Sequence, residues 1–470
     1  MIDCKKFVET LEGKPVFVFG LGASGLSVIR ALHKAGAKIA AWDDDVGRRA
    51  QAEKEGASLA DPEQGGLEGA ACLVLAPGVP LHYPEPHPVV HAARRAGAEI
   101  IGDLEILHRA GHGRKTVGIT GTNGKSTTAS LIAHILKQAG RKPVLGGNIG
   151  VPALNLEMPA KDDVFVLEIS SFQMDLCPNF RPDIAVLLNI TPDHIDRHGS
   201  FEGYAAAKAR MFEGPGTAVI SVDDKSCRAI LKDISRGGER DIVTFSVDKD
   251  LRGEVPESLA VCILEDGAVI DMMGDTPVEA GNLNQAKALQ GRHNAQNAAA
   301  SYAVCRLLGL TPEEIAEGFK TYPGLAHRQL CVRVINGVSY VNDSKATNAQ
   351  ATATALACFQ NIYWVLGGRP KAGGLAGLEA LTERVRHAFV IGEAEDEFSA
   401  WLERHGVPHS RSHTLEMAVA EAHSAAQQER GQPGGAGVVL LSPACASFDQ
   451  FTSFEARGDA FAKLVGALEA

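Results

Sequence analysis

The residues with the clearest chemical signal form the run T-G-T-N-G-K-S-T at positions 120–127. The run lies between a predicted strand at 116–119 and a predicted helix at 127–139. In such a turn, N–H groups at the helix start bind phosphates, the lysine reaches the terminal phosphates and the serine holds Mg²⁺. Because Ile119 stands where the first glycine of the common phosphate loop would be, we interpret the turn as a shortened variant. Packing alone is the weaker explanation.

Two further predicted strands end in groups that suit a metal ion. Glu168 ends the apolar strand 164–167, and His194 follows the apolar strand 184–190 between two aspartates. Taken alone, a glutamate or histidine at such a position usually has a structural role. The carboxyl ends of parallel strands meet at one edge of a sheet, however, so we favour Mg²⁺ binding by Glu168 and a second metal near His194.

A second glycine turn, residues 20–25, follows a predicted strand and precedes a predicted helix. Asp43 lies at the end of the next strand, as in the dinucleotide fingerprint, where glycines admit a diphosphate and the acid contacts ribose hydroxyls. The alternative is a turn that serves only helix–strand packing. We favour diphosphate binding, but the motif does not distinguish NAD from another nucleotide.

Several other polar residues are ambiguous from the sequence alone. Lys208 lies in a helical run and is typical of a solvated lysine, whereas Asn294 and Asn297 share one helix face and could contact a base or simply cap and pack. The segments 342–348 and 442–448 are polar turns after predicted strands. Such turns often hold ligand groups, but neither is decisive by itself.

The alternation of strands and helices predicts an α/β fold with three domains. We expect a Rossmann-like domain at 1–112, a central phosphate-loop ATPase-like domain at 113–324 and a Rossmann-like C-terminal domain at 325–470. The strand-and-turn-rich stretch 236–290 predicts a small antiparallel sheet added to the central domain.

Composition narrows the class of protein further. The net charge of −11 gives no long-range attraction to nucleic acid, and no apolar run is long enough to span a membrane. The nine cysteines include no C-x-x-C pair, and the first residues do not resemble a secretion signal. We therefore expect a cytoplasmic protein without nucleic-acid partners. We also expect it to act as a monomer, although composition does not bear on that point.

Taken together, the segments resemble the Mur ligase family over essentially the whole chain, and within it the branch that adds D-glutamate. The D-N-P-R-like or D-D-P-R-like motif of the diaminopimelate- and lysine-adding branches is absent. The motifs that carry the resemblance are T-G-T-N-G-K-S-T at 120–127, G-G-N-I-G at 146–150, L-E-I-S-S-F-Q at 167–173, N-D-S-K-A-T-N at 342–348 and L-S-P-A-C-A-S-F-D-Q-F at 441–451.

The resemblance implies a role for each matching position. ATP would be held by Gly121, Thr122, Asn123, Gly124, Lys125, Ser126, Thr127, Asn294, Asn297, Arg328 and Asp343. Two Mg²⁺ ions would be held by Ser126, Glu168, His194 and Lys208, the last as a carbamylated lysine. The sugar nucleotide would contact Ala23, Ser24, Asp43 and Asn148. D-Glutamate would be positioned by Lys345, Thr347, Lys371, Ser447 and Phe454. Ala76 replaces a family serine, so that hydroxyl contact is lost.

The implied reaction joins the L-alanyl carboxylate of UDP-N-acetylmuramoyl-L-alanine to the amine of D-glutamate at the expense of ATP. The catalytic residues would be Lys125, Glu168, His194 and Lys208. One rival is a folylpolyglutamate-synthetase-like ligase, which shares the phosphate loop but lacks this N-terminal domain. Another is an NAD-dependent oxidoreductase fused to an NTPase-like switch.

Overall fold

Three β-sheets with flanking helices make up the fold. The computed structural model describes residues 1–148, 150–247, 259–371, 373–431 and 437–469. Ile149 of the motif at 146–150, part of the predicted antiparallel stretch and Ala372 lie outside the described residues. The chain forms two compact units, Met1–Tyr322 and Pro323–Ala470, and the first unit contains two of the sheets.

The first sheet has five parallel strands in the order β3-β2-β1-β4-β5. Its strands are β1 (Val16–Phe19), β2 (Ile39–Trp42), β3 (Ser58–Leu59), β4 (Cys72–Leu75) and β5 (Glu99–Ile101). Its helices are α1 (Lys5–Glu9), α2 (Ala23–Lys34), α3 (Val46–Lys54), α4 (Pro88–Ala96) and α5 (Asp103–Arg109). The strand order reverses between β1 and β4, and the crevice at such a reversal is where α/β sheets bind ligands.

The second sheet has nine strands in the order β14-β13-β12-β11-β10-β9-β6-β8-β7. Its strands are β6 (Lys115–Thr120), β7 (Val144–Gly147), β8 (Val164–Glu168), β9 (Ile184–Leu187), β10 (Gly216–Ser221), β11 (Arg240–Ser246), β12 (Leu259–Ile263), β13 (Ala268–Asp271) and β14 (Val278–Asn282). Its helices are α6 (Lys125–Gln138), α7 (Ser171–Asp175), α8 (Ile195–His198), α9 (Phe201–Ala209), α10 (Lys225–Gly237), α11 (Arg292–Leu307) and α12 (Pro312–Thr321).

The predicted antiparallel strands are present, but they extend the central sheet itself. β11 and β12 pair in parallel with their inner neighbours, and only β12–β13 and β13–β14 are antiparallel. The connections explain the difference. Helix α10 gives the crossover that the parallel pair β10–β11 needs, whereas a short turn at 264–267 joins β12 to β13.

The third sheet has six strands in the order β15-β16-β20-β17-β18-β19, with only β15 antiparallel to its neighbour. Its strands are β15 (Leu330–Ile335), β16 (Val338–Asn342), β17 (Ile362–Gly367), β18 (Val385–Ile391), β19 (His409–His413) and β20 (Val438–Leu441). Its helices are α13 (Ala349–Leu356), α14 (Glu395–Arg404), α15 (Leu415–Glu429) and α16 (Phe454–Ala467).

The inner strands of the central sheet explain why the phosphate-loop segment has a fixed position. β6, β8 and β9 are covered on both faces, so their sequences are almost continuously apolar. Helix α6 packs its buried residues, including Leu131 and Ile135, into the same core. Within the described parts of the chain, none of the helices has the length and apolar character needed to cross a membrane.

Candidate active site

The run 120–127 forms the turn between β6 and α6. Gly124 has a left-handed backbone (φ 86°), and a Cβ there would lie 2.1 Å from Asn297 Oδ1, so both conformation and space require glycine. Lys125 begins α6, and its Nζ donates to the carbonyls of Gly121 and Thr122, both at 2.8 Å. The ammonium therefore lies across the loop at the N-terminus of a 14-residue helix, a position suited to anion binding.

Glu168, Ser126 and Asn148 form one hydrogen-bonded group beside this turn. Ser126 Oγ donates to Glu168 Oε2 at 2.7 Å, and Asn148 Nδ2 donates to Glu168 Oε1 at 2.8 Å. The pairing of β6 with β8 sets this arrangement, because Glu168 lies opposite Ile119 at the strand ends. A buried carboxylate beside a phosphate-loop hydroxyl supplies the oxygen ligands that Mg²⁺ prefers, so these residues fit the ion.

Lys208 lies beneath the phosphate loop, and the interpretation from sequence alone, a solvated helix lysine, is wrong. Its side chain is buried, and Nζ donates to the Gly121 carbonyl at 2.9 Å and to Thr120 Oγ1 at 3.4 Å. The ammonium also lies 4.6 Å from the centre of the Tyr204 ring. Burial, followed by repulsion from Lys125, holds the pKa of Lys208 well below its ordinary value.

His194 is exposed and caps α8 with a left-handed backbone (φ 51°). Its ring lies 4.8 Å from the Phe172 ring, and Asp193 is its ion-pair neighbour. Among the side chains that the structure describes, no contact links His194 to Glu168, and no three His, Cys, Asp or Glu groups cluster like metal ligands. A metal role for His194 stays a prediction.

Asn294 and Asn297 do lie on one helix face and contact each other. Asn297 Nδ2 donates to Asn294 Oδ1 at 3.2 Å, and Asn297 Oδ1 accepts from Thr128 Oγ1 at 3.2 Å. Because Asn297 also packs against Gly124, it supports the phosphate loop directly. Asn294 donates back to the Gln290 carbonyl at 3.0 Å, so its ATP role remains a prediction.

At the first glycine turn, residues predicted to bind the sugar nucleotide form hydrogen bonds within the protein. Asp43 Oδ2 accepts from the Leu21 N–H at 2.6 Å, and Ser24 Oγ donates to Asp103 Oδ2 at 2.6 Å. Ala23 begins α2, whose first N–H groups face the carboxyl edge of the sheet. Asp103 was missed from the sequence: it is buried, which raises its pKa, and only the fold brings it to Ser24.

In the second unit, three neighbouring strands end at one edge and bring together the remaining predicted residues. Segments 343–347, 368–371 and 442–447 follow β16, β17 and β20, which are adjacent in the sheet. Lys371 Nζ donates to Thr347 Oγ1 at 3.4 Å, and Lys345 Nζ lies 5.7 Å from the Phe454 ring centre. Ser447 is buried on the third of these segments. The residues thus form a cationic, hydroxyl-bearing edge.

Arg457 connects two of these segments, although the sequence indicated no role for it. It is 1% exposed, and its guanidinium donates to Ser344 Oγ at 3.0 Å, the Ser344 carbonyl at 2.9 Å and the Cys445 carbonyl at 3.1 Å. Burial lowers its pKa to about 10. The available signal was an arginine within the run F-E-A-R-G at 454–458, separated by two residues from the motif at 441–451 that carries the resemblance.

Asp343 lies at the same edge and is buried. Its Oδ2 accepts from Ser442 Oγ at 2.8 Å, and its Oδ1 accepts from the Gln329 N–H at 3.2 Å. Burial raises its pKa to about 7, against the opposing effects of the Ser442 hydrogen bond and the charge of Arg328. Arg328 and Asp343, both predicted ATP contacts, are therefore neighbours.

This pKa predicts a pH effect on stability. An unfolded aspartate loses its proton near pH 3.8, whereas Asp343 keeps it up to about pH 7. Between these values the unfolded state binds fewer protons, so rising pH favours unfolding. The contribution of Asp343 is full below about pH 4 and lost above about pH 7. Asp343→Asn should therefore be more stable than wild type at pH 8 by at least about 1 kcal/mol, one pKa unit.

Thermal unfolding between pH 5 and 8, followed by tryptophan fluorescence in a Trp42→Phe background, measures this effect, since the remaining Trp364 and Trp401 both lie in the second unit. Asp396→Asn, which changes an exposed aspartate, is the matched control. An identical pH slope in the two variants would contradict the buried, protonated state of Asp343.

The protein has a central sheet with a phosphate loop, a first sheet whose strand order reverses beside a glycine turn, and a third sheet with a cationic edge. These features define a multidomain α/β phosphate-loop protein. Residues 14–102 match the Mur ligase MurD-like N-terminal domain, and residues 119–305 match the Mur ligase middle domain. The chain belongs to the Mur ligase family, as the sequence motifs predicted.

Curated relatives match nearly the full length. The UDP-N-acetylmuramoylalanine–D-glutamate ligases of Brucella abortus (strain 2308) and Paramagnetospirillum magneticum are 47% and 45% identical. The first alignment covers 98% of this chain and 97% of the relative, and the second covers 98% of each. These relatives belong to the predicted D-glutamate branch, so that recognition is confirmed.

Solved structures support the fold. The UDP-N-acetylmuramate–alanine ligase of Thermotoga maritima is similar with a TM-score of 0.57 and 17% identity, covering 97% of this chain and 99% of that one. The UDP-N-acetylmuramoylalanyl-D-glutamyl-2,6-diaminopimelate–D-alanyl-D-alanyl ligase of Acinetobacter baumannii gives 0.58 and 15%, covering 99% and 98%. The predicted α/β fold class is confirmed.

Proposed function

We propose that the protein is an ATP-dependent ligase that joins the L-alanyl carboxylate of UDP-N-acetylmuramoyl-L-alanine to the amine of D-glutamate. The reaction releases ADP and phosphate and belongs to peptidoglycan precursor synthesis. The observation that carries the proposal is the 45–47% identity to ligases of that name over 98% of the chain. We further propose that it acts in the cytoplasm, where ATP is available, and as a monomer.

The chemistry requires activation, because a free carboxylate does not lose oxygen to an amine. The alanyl carboxylate attacks the γ-phosphate of ATP and forms an acyl phosphate, and the amine of D-glutamate then displaces phosphate. The first step brings two anions together, so its barrier is largely electrostatic. Lys125 and the N–H groups of the phosphate loop supply positive charge there. Mg²⁺, held by Glu168 and Ser126, adds Lewis-acid stabilisation when bound.

We propose that Lys208 acts as a carbamate. Its neutral amine attacks CO₂, a C–N bond forms and one proton is released, giving an anionic oxygen ligand. Burial favours this reaction because it keeps the amine unprotonated, and only an unprotonated amine is nucleophilic. With His194, the carbamate would hold the second Mg²⁺.

The other ligands are assigned by segment. We propose that the sugar nucleotide binds at the first sheet through Ala23, Ser24 and Asp43, with Asn148 contributing from the central sheet. ATP binds at residues 121–127, with Asn294, Asn297, Arg328 and Asp343 completing its contacts. We propose domain boundaries near 112 and 324, because these positions lie in the connections between the first and second sheets and between the second and third sheets.

D-Glutamate brings two carboxylates to an acidic protein, so at least one must meet a fixed cation. We propose that Lys371 is that cation, with hydroxyls of Thr347 and Ser447 beside it and with Lys345 and Phe454 forming the adjacent wall. The 3.4 Å contact between Lys371 and Thr347 supports this assignment because it brings charge and hydroxyl to one point.

Lys371→Ala should raise the KM for D-glutamate by about 30-fold or more. Losing one partner of a charge pair that the bound substrate buries costs about 2–5 kcal/mol, and each 1.4 kcal/mol is tenfold. The KM values for ATP and the sugar nucleotide should change little. Initial rates against each substrate measure the effect, with the exposed Lys463→Ala as control. An unchanged KM for D-glutamate would show that Lys371 does not bind a carboxylate of this substrate.

The function itself is tested by product analysis. Purified protein with ATP, Mg²⁺ and UDP-N-acetylmuramoyl-L-alanine is offered D-glutamate, L-glutamate, L-alanine, L-lysine or diaminopimelate, and amide products are measured by mass spectrometry. Only D-glutamate should give product at a high rate. If both carboxylates are held in place, inversion at the α-carbon of L-glutamate moves its amine away from the acyl phosphate. Equal use of another amino acid would reject the proposed acceptor.

A further inference from the structure

The crevice between β1 and β4 has two walls at the carboxyl edge of the first sheet. One wall is the glycine turn 20–25, and the other is the turn 76–79 that follows β4. The two turns are in close contact, since a Cβ on Gly20 would lie 2.5 Å from the Ala76 Cβ. The position of the turn 76–79 therefore determines the width of the crevice.

A single arginine from the central sheet holds this second wall. Arg197, on the one-turn helix α8, donates from Nη1 to the Gly78 carbonyl at 3.0 Å. Its Nη2 donates to the carbonyls of Pro77 and Val79 at 3.2 and 3.1 Å. The guanidinium also lies 4.6 Å from the centre of the Phe172 ring, which fixes its plane.

The same helix places Arg197 close to the metal-site candidates. Arg197 is three residues from His194, and Phe172 contacts the His194 ring while lying four residues beyond Glu168 in the chain. A second contact joins the two segments, because a Cβ on Gly199 would lie 2.6 Å from Tyr83 Cζ. The same short helix, α8, therefore contacts the crevice wall at 76–79 and carries Arg197 close to the proposed metal ligand His194.

We propose that Arg197 is a positioning residue for the sugar-nucleotide substrate. It holds residues 76–79, which form one wall of the crevice, in a fixed position against helix α8 and so next to the proposed metal ligand His194. The planar guanidinium is needed because its N–H groups reach three carbonyls at once, whereas a lysine ammonium is a point donor. The inference rests on the proposed function, since it takes a UDP-sugar as the ligand of the first sheet.

Calorimetry on the full chain tests the proposal with UDP-N-acetylmuramoyl-L-alanine and, separately, a non-hydrolysable ATP analogue. Arg197→Ala should weaken the UDP-sugar by about tenfold or more, because hydrogen bonds from a charged donor are strong. Arg197→Lys should recover little of the loss, and millimolar guanidinium should restore much of it to the alanine variant. Affinity for the ATP analogue should not change.

Arg181→Ala is the matched control, since Arg181 also donates to main-chain carbonyls, those of Cys177 and Phe180, and pairs with Glu213, all outside the turn 76–79. Hydrogen exchange at Gly78 and Val79 should rise in Arg197→Ala and not in the control. Unchanged UDP-sugar affinity, or equal weakening of both ligands with a lowered melting temperature, would overturn the positioning role. Absence of amide product from wild type would instead reject the proposed function, while the exchange data would still report on the Arg197 contacts.

Discussion

Lys208→Ala should lose amide-forming activity by about a hundredfold or more while the protein remains folded. Alanine removes the amine that would become the carbamate, so a metal ligand is lost at the phosphate loop. Because the side chain is buried, with Nζ beside Gly121, Thr120 and the Tyr204 ring, its truncation also leaves a cavity, so the melting temperature should fall without loss of the fold. Initial rates at saturating substrates, together with the melting temperature, measure both parts of this expectation.

Chemical rescue separates the carbamate from a purely structural lysine. Formate or acetate should restore part of the activity of Lys208→Ala, because a small carboxylate can occupy the place of the carbamate. Lys225→Ala, which changes an exposed lysine of the same unit, is the control. In wild type, ¹³C-bicarbonate should give a carbamate signal that Lys208→Ala lacks. A variant that works near the wild-type rate would remove Lys208 from the site.

Lys125→Ala should weaken ATP by about 30-fold or more, since it removes a charged partner whose loss costs about 2–5 kcal/mol. Binding of the UDP-sugar should stay nearly intact, because the glycine turn 20–25 belongs to a different sheet. Calorimetry of both ligands on the variant measures the two affinities independently.

The control for this change is Lys137→Ala, which lies on the same helix α6 and is exposed. It should leave both affinities as in wild type. Parallel loss of ATP and UDP-sugar binding by Lys125→Ala would contradict the assignment of the two ligands to separate sheets.

Motifs whose strand, turn and helix lie in consecutive residues were predictable from the sequence. The phosphate loop, the strand ending at Glu168 and the glycine turn 20–25 each combine a strand, a turn and a helix in consecutive residues. Such segments carry their own signal, because turn chemistry and apolar periodicity both depend on near neighbours. The predicted strands 116–119 and 164–167 lie within β6 (Lys115–Thr120) and β8 (Val164–Glu168).

Groups that depend on tertiary contacts were not predictable from the residues alone, and Lys208 was assigned only through the family resemblance. Lys208 reads as a surface lysine because its helix α9 has little apolar asymmetry, and only packing beneath the loop buries it. Asp103, Arg197 and Arg457 act through partners far away in the chain, so no local pattern identifies them. For the same reason the register of β12 to β14 in the central sheet was not evident.

The central claim is that ATP activates the alanyl carboxylate of the sugar nucleotide. The most direct measurement uses UDP-N-acetylmuramoyl-L-alanine with ¹⁸O in both carboxylate oxygens, incubated with ATP, Mg²⁺ and D-glutamate. One ¹⁸O should appear in each inorganic phosphate released, with one phosphate per amide, and phosphate release should require the sugar nucleotide. Phosphate without ¹⁸O, or equal ATP hydrolysis when the sugar nucleotide is omitted, would contradict the acyl-phosphate account.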